Sequence, residues 1–175
     1  MPADATGFTC ESVLRGCTLL TSVAEDYRPS FLALASCVSG KKVLFISLAR
    51  SPKSVVEWLA HSGVPSPSIV FISSFDSGLS RDACMPLEEQ CNLTEISLMI
   101  TKAVGTRQPD LVVLDSLNVM LSIYDETTVL RFVQFTRNKL ALTETTSLFV
   151  VREGVDPAFI PNARPFFDSV IDGRR

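Results

Sequence analysis

The 175-residue sequence has little of several residue types on which common functional sites depend. It contains one histidine, His61, which excludes a histidine-rich metal site, and its five cysteines form no C-x-x-C motif. Lysine and arginine number 16 against 19 acidic residues, so the net charge of −3 gives no general positive field for nucleic acid. No apolar run reaches the about 18 residues of a membrane-spanning helix. We therefore expect a globular protein that partners neither a membrane nor nucleic acid.

The cysteines indicate a reducing compartment. Their odd number, with Cys37 in an apolar helical stretch, is typical of free thiols in a cytosolic protein. Cys10 and Cys17 are seven residues apart, as are Cys84 and Cys91, and this repeated step leaves a disulfide or metal site as the alternative. The N-terminus lacks the basic start and apolar run of a signal peptide, so we expect a cytoplasmic location.

Apolar residues make up 46% of the chain, enough for one compact core. We expect a single domain over residues 1–175, with its core at about residues 16–172. Six short, continuously apolar runs are typical of strands buried on both faces, as in a parallel sheet. The predicted strands are Cys17–Ser22, Val43–Leu48, Ile69–Ser73, Leu111–Asp115, Ser147–Val151 and Ser169–Ile171.

Helical patterns separate these runs. Ser51 followed by Pro52 predicts one helix start, and Asn92 and Asp125 predict two more. Residues 74–91 are expected to form the longest loop. The predicted helices are Phe31–Val38, Pro52 to Gly63, Leu93–Val104 and the stretch from Asp125 to about Leu140. The alternation predicts a three-layer α/β domain with a mainly parallel sheet of five or six strands.

Ligands bind beyond the carboxyl ends of the strands in such sheets. Three segments follow strand ends here: residues 23–30, Ala49–Pro52 and Asp115–Asn118. The sequence around them contains, in order, V-L-F-I-S-L-x-x-S-P-x-S-V-V-E-W-L, L-V-V-L-D-S-L, S-L-F-V-V-x-E and F-F-D-S-V-I-D-G. In this order and spacing the chain resembles the RecA-like ATPase domain of the KaiC family, from about Gly16 to Asp172.

The resemblance implies a P-loop NTPase fold with a defined strand order. From one edge of the sheet to the other, the predicted strands would follow the order 169–171, 17–22, 147–151, 111–115, 43–48 and 69–73.

The chain departs from this family at the phosphate loop, G-x-x-x-x-G-K-[ST], which aligns with residues 23–30. Val23 and Arg28 replace the two glycines, Pro29 replaces the lysine, and Ser30 keeps the hydroxyl that would contact magnesium. Glycines let a row of N–H groups approach the phosphates, and these side chains oppose that approach. Pro29 removes one N–H and the ammonium together. The sequence therefore predicts a degenerate nucleotide site.

Two acids in the same segment also oppose a triphosphate. At about 4 Å, each contact of Glu25 or Asp26 with a phosphate charge would cost about 1–4 kcal/mol, and Arg28 would offset part of it. We expect one of these carboxylates to lie against the free N–H groups of the helix that follows Pro29, in the phosphate's place.

The catalytic positions have changed as well. The family carries paired acids after its second strand, one of which activates water, but Ala49 and Arg50 stand there. No general base is then in place, although Arg50 could bind an anion such as a partner's carboxylate.

Asp115 matches the magnesium-binding acid of the Walker B motif. It either keeps a metal contact shared with Ser30 or caps the next turn through backbone N–H groups.

The resemblance thus implies a catalytically inactive ATPase-fold protein that acts through protein contacts in regulation or signal transduction, alone or as a homo- or hetero-oligomer. We expect no catalytic residue, no metal and no cofactor, with Arg28, Pro29, Ser30 and Asp115 as remnants of a nucleotide site. The first alternative is a non-hydrolysing nucleotide sensor. The second is a subunit of a RecA-like ring in RNA or DNA metabolism. Arg131, Arg137 and Lys139 of one long helix, together with Arg174 and Arg175, either form a modest basic face or are ordinary solvated surface.

Overall fold

A computed structural model describes residues 16–22, 40–61, 68–88, 91–152 and 158–172. Its strands are β1 (Cys17–Ser22), β2 (Lys42–Ser47), β3 (Ser68–Ser73), β4 (Cys84–Pro86), β5 (Leu111–Asp115), β6 (Thr146–Arg152) and β7 (Ser169–Asp172). Its helices are α1 (Pro52–His61), α2 (Leu93–Arg107), α3 (Leu117–Leu121), α4 (Glu126–Ala141) and α5 (Phe159–Ala163), which a 3₁₀ turn at Arg164–Phe166 follows. The predicted helix Phe31–Val38 lies outside the described residues.

The described strands form one seven-stranded sheet in the order β4-β3-β2-β5-β6-β1-β7. Every pairing in it is parallel. This confirms the RecA-like α/β fold, and the six predicted strands lie in the order that the resemblance implied. The reason is visible in the burial: every residue of β5 and all but the first of β2 are buried, as continuous apolar runs predict.

The predicted number of five or six strands was too low, because the sheet also contains the edge strand β4. It lies within residues 74–91, which were predicted as loop, and pairs Cys84 with Phe71 of β3. Three residues are too few to display a pattern, and Pro86 at the end lowers the strand signal. A proline is tolerated there because an edge strand has one unpaired side.

The helices pack on both sides of the sheet over two cores of unequal size. The larger core joins α2 and α4 to the sheet through side chains such as Ile100 and Val133. The smaller core packs Val55 and Leu59 of α1 against Phe45 and other apolar residues of the central strands. Burying each such side chain contributes about 1.5–3 kcal/mol. No helix in the described part of the chain is long and apolar enough to cross a membrane.

The predicted helix starts are confirmed by their hydrogen bonds. Ser54 N donates to Ser51 Oγ at 3.2 Å, and Asn92 forms a reciprocal capping box with Glu95. Asp125 accepts the hydroxyl and the N–H of Thr128 at 2.7 and 3.0 Å, which lowers the pKa of its carboxyl. Caps of this kind each contribute about 1 kcal/mol and fix where a helix begins.

The described cysteines Cys17, Cys84 and Cys91 carry free thiols, so the step from Cys84 to Cys91 forms no disulfide. Burial raises the pKa of the Cys17 thiol to about 11. Such a thiol stays protonated and unreactive at neutral pH. Cys10 and Cys37 lie outside the described residues.

Candidate functional site

The carboxyl ends of the three central strands lie side by side and form the candidate site. Strand register pairs Ser47 of β2 with Asp115 of β5, and Asp115 with Val150 of β6. Strand β6 continues for two residues beyond that pairing and ends at Arg152. Arg152 therefore lies past the end of β5, at the edge where open parallel sheets bind ligands.

Asp115 and Arg152 form an ion pair across this edge. Arg152 Nη2 lies 3.3 Å from Asp115 Oδ1. The aspartate side chain has no exposed surface, whereas 23% of the arginine side chain is exposed. A buried carboxylate is costly unless a positive group or hydrogen bonds compensate for the lost water. Here a guanidinium of the same chain provides part of that compensation.

Asn118 holds the backbone of Arg152. Arg152 N donates to Asn118 Oδ1 at 2.7 Å, and Asn118 Nδ2 donates to the Arg152 carbonyl at 3.2 Å. These two bonds join α3, which starts just after Asp115, to the end of β6. The Asp115–Ser116 peptide bond at this corner is cis. The segment Asp115–Asn118 therefore contributes both the ion-pair acid and the residue that positions its arginine.

The end of β2 lies against the same corner. Leu48 N and Ala49 N donate to the Asp115 carbonyl at 2.8 and 3.3 Å, and Ser47 Oγ donates to the Arg50 carbonyl at 2.6 Å. Ala49, one of the two positions where the resemblance implies acids, is thus hydrogen-bonded to Asp115, and Arg50, the other, follows it. Neither of them carries a carboxylate.

The other predicted remnants lie on residues 23–30, outside the described part of the chain. Ser22, the last residue of β1, pairs in register with Arg152 of β6, so the described end of β1 lies beside the strand end that carries Arg152. The structure does not describe Arg28, Pro29, Ser30, Glu25 or Asp26, and the predictions made for them stay predictions.

Sequence reasoning missed Arg152. The sequence does show a charged residue directly after the apolar run of β6, which neighbours β5. The order of strands and helices along the chain does not predict, however, which charged side chains will form an ion pair. His61, by contrast, is exposed at the end of α1, with Nδ1 2.6 Å from the Glu57 carbonyl. It lies in an ordinary helix-end position and takes no part in the candidate site.

The chemistry open to the described edge is limited. Asp115 is one carboxylate, and magnesium prefers near-octahedral oxygen ligands at about 2.0–2.1 Å. Among the described residues, no group of three or more His, Cys, Asp and Glu side chains is arranged to hold a metal ion. A cation that approached Asp115 would also meet Arg152.

Comparison with known proteins supports the fold. A crystal structure of a KaiC-like protein from the hyperthermophilic archaeon Pyrococcus horikoshii OT3 is similar with a TM-score of 0.64 and 13% sequence identity, over 90% of this chain and 71% of that chain. At this identity the similarity concerns the fold alone. No curated protein matches the sequence. Residues 16–172 match a family model described as a family of unknown function, DUF7504. The chain therefore belongs to the DUF7504 family and has a RecA-like fold.

Proposed function

We propose that this protein is a KaiC/RecA-like domain that does not hydrolyse ATP and that acts through contacts with other proteins, in a regulatory or signal-transduction role. The observation that carries the proposal is the ion pair of Asp115 and Arg152. In the family that the sequence resembles, the acid at the Asp115 position faces magnesium. In this chain the guanidinium of Arg152 lies beside that acid.

The electrostatics of the pair oppose a divalent ion at Asp115. A doubly charged ion about 4 Å from the guanidinium would be repelled by about 2 kcal/mol in water and about 8 kcal/mol at an effective dielectric of 20. If Arg152 moved away instead, its bond to Asp115 would be lost. Asn118 holds the Arg152 backbone in place, so such a movement would be confined to the arginine side chain.

The sequence supports the same conclusion at two other components of phosphoryl transfer. Enzymes of this kind need a cradle for the phosphates, a metal and a group that orients the nucleophile. Residues 23–30 contain neither glycine nor lysine, and Ala49 and Arg50 supply no base. Three independent requirements are then unmet by the residues present, which leaves binding and assembly as the uses of the fold.

The test is phosphate release from Mg-ATP by the purified protein, with Asp115→Ala as the control variant. We expect no release above the background of the control. A steady rate that Asp115→Ala abolishes would reject the proposal. If nucleotide binds without turnover, the protein is a nucleotide sensor, and Mg-ATP will raise its melting temperature.

A further inference from the structure

Helices α2 and α4 lie side by side over the larger core, and an apolar groove of about 370 Å³ runs between them. We call this the α2–α4 groove; Leu93, Leu98, Phe132, Phe135 and Arg131 are among its lining residues. Leu98 is 64% exposed and Phe135 is 52% exposed. Exposed apolar side chains that stand alone are ordinary, but these two line one continuous apolar groove, and such patches mark interaction surfaces.

Cations lie midway along the groove and beyond its C-terminal end. Arg131 is the one charged residue among the described residues that line it. Lys102 and Lys139 lie one helical turn beyond Leu98 and Phe135, and Lys139 Nζ is 5.4 Å from the centre of the Phe135 ring. A ligand that covers the groove therefore meets cations on both helices.

The acids of the two helices are separated from these cations along the groove. Glu95 and Glu126 are the acids that α2 and α4 contain, and both lie in the first turn. Glu95 accepts a hydrogen bond from Asn92 N at 2.9 Å, and Glu126 accepts one from Asn162 Nδ2 at 2.8 Å. Asp125, the cap of α4, also accepts two hydrogen bonds from Thr128, which lines the groove. The acids therefore lie at the N-terminal end of the groove, whereas the cations lie midway along it and beyond its other end.

We infer that the α2–α4 groove docks an amphipathic helix of a partner protein, with apolar residues on its inner side and Asp or Glu beside them. This inference rests on the proposed function and names the partner's chemistry. The helices α2 and α4 have 15 and 16 residues, so each is about 22–24 Å long. They precede the neighbouring parallel strands β5 and β6 and run in the same direction. A third helix fits the groove between two such helices with apolar anchors at i, i+3, i+4 and i+7.

The positive charge also favours a different protein over a second copy of this chain. In a symmetric dimer with its two-fold axis through the middle of the groove, Arg131, which lies midway along the α4 wall, would face its own equivalent. Like charges across an interface disfavour the contact, whereas an acidic helix supplies the opposite sign.

The experiment uses a displayed library of helix-forming peptides of about 18 residues, with Leu, Ile or Phe at the four anchor positions and Glu or Lys at the flanking ones. We expect selection on the wild-type protein to enrich Glu over Lys by about tenfold. For a selected peptide, Leu98→Ala and Phe135→Ala should each weaken binding by about tenfold or more. Arg131→Glu should reverse the preference toward Lys.

Leu142→Ala is the matched control, because Leu142 is an exposed leucine at the end of α4 that does not line the groove. It should leave binding unchanged, and circular dichroism should show that all variants fold alike. No enrichment, equal enrichment of Glu and Lys, or binding that tolerates Phe135→Ala would overturn the inference. A wild-type dimer that Leu98→Glu dissociates would also overturn it, in favour of a second copy.

The two proposals fail separately. If no peptide binds while phosphate release stays at background, the docking inference falls and the proposed lack of ATP hydrolysis stands. If the protein hydrolyses ATP, the proposed function falls whatever the peptide selection gives.

Discussion

Two ion pairs tie distant parts of the chain together, and they differ in how their carboxylates are surrounded. Asp168 Oδ1 lies 2.6 Å from Arg137 Nη2, with 45% and 34% of the two side chains exposed. The Asp115–Arg152 pair is longer, at 3.3 Å, but its carboxylate is fully buried. Exposed pairs contribute little to stability, whereas removing one partner of a buried pair is costly. Burial of the carboxylate, and not the shorter distance, therefore identifies the ion pair whose disruption should cost the most stability.

The Asp168–Arg137 ion pair lies at the start of β1, which Asp168 also contacts through the backbone. Asp168 Oδ2 accepts a hydrogen bond from Cys17 N at 2.7 Å. A Cβ atom at Gly16 would lie 2.5 Å from that same oxygen, and Gly16 has a φ of +87°. Glycine is needed here because it permits both the positive φ and the close approach. This carboxylate has a structural use, whereas Asp115 stands at the edge where an ATPase would hold its metal.

The largest expected effect comes from breaking the buried pair. Arg152→Met should destabilise the protein by about 3 kcal/mol, because it leaves the buried Asp115 carboxylate without its cation. Arg137→Met should cost about 1 kcal/mol or less, since that pair is exposed to solvent. Urea unfolding at neutral pH measures both. Equal losses in the two variants would contradict the ranking by burial.

The crowding at Gly16 gives the next effect. Gly16→Ala should cost about 2–3 kcal/mol, from the positive φ and from displacement of the Asp168 carboxylate. Gly40→Ala is the matched control: Gly40 has a φ of +78°, but a Cβ atom added there would meet nothing within 4 Å. It should cost only the strain of about 1–2 kcal/mol. Denaturant unfolding of both variants measures the two losses of stability. If Gly40→Ala costs as much as Gly16→Ala, the contact with Asp168 does not add to the cost at Gly16.

The Asp168 pair should also respond to pH. The hydrogen bond from Cys17 N, followed by the contact with Arg137, lowers the pKa of the Asp168 carboxyl. Its contribution is complete above the unfolded value of about 4 and is lost as the pH falls through the lower folded value. Asp168→Asn should therefore cost about 1 kcal/mol at neutral pH, and the difference from wild type should shrink in acid. A difference that does not change with pH would speak against the carboxylate's charge as the cause.

The smallest effect concerns Thr136, the residue before Arg137. Its hydroxyl is buried and has no hydrogen-bond partner among the described residues. Thr136→Val keeps the shape and removes the unsatisfied group, so it should stabilise the protein by about 1 kcal/mol. Thr101→Val is the control, because the Thr101 hydroxyl donates to the Ser97 carbonyl at 2.8 Å. A loss of stability in Thr136→Val would indicate a partner for that hydroxyl.

The sheet was largely predictable because each central strand is a continuous apolar run between recognisable helix caps. Asn92 and Asp125 are local signals that act within one turn, so the sequence displays them directly. Strand β4 was not predictable, since its three residues take their strand conformation from pairing with β3. A local sequence pattern therefore predicts the strands and helices that are long enough to bury a face of their own.

The candidate site was predictable only in part. Asp115 follows an apolar strand and stands out in the sequence, whereas its partner Arg152 is 37 residues further along the chain. That contact depends on β6 lying beside β5 and extending past it, which is a property of register and not of any local pattern. The same holds for the α2–α4 groove, whose two walls come from separate helices.

The most direct test of the central claim is the melting temperature with and without Mg-ATP, for the wild type and for Asp115→Asn. A ligand that binds the folded state at about 100 times its Kd would stabilise it by about 2.7 kcal/mol, and a domain of this size gains about 2–4 °C per kcal/mol. We predict no shift in either protein. A magnesium-dependent rise of about 5–10 °C in the wild type that Asp115→Asn removes would contradict the account.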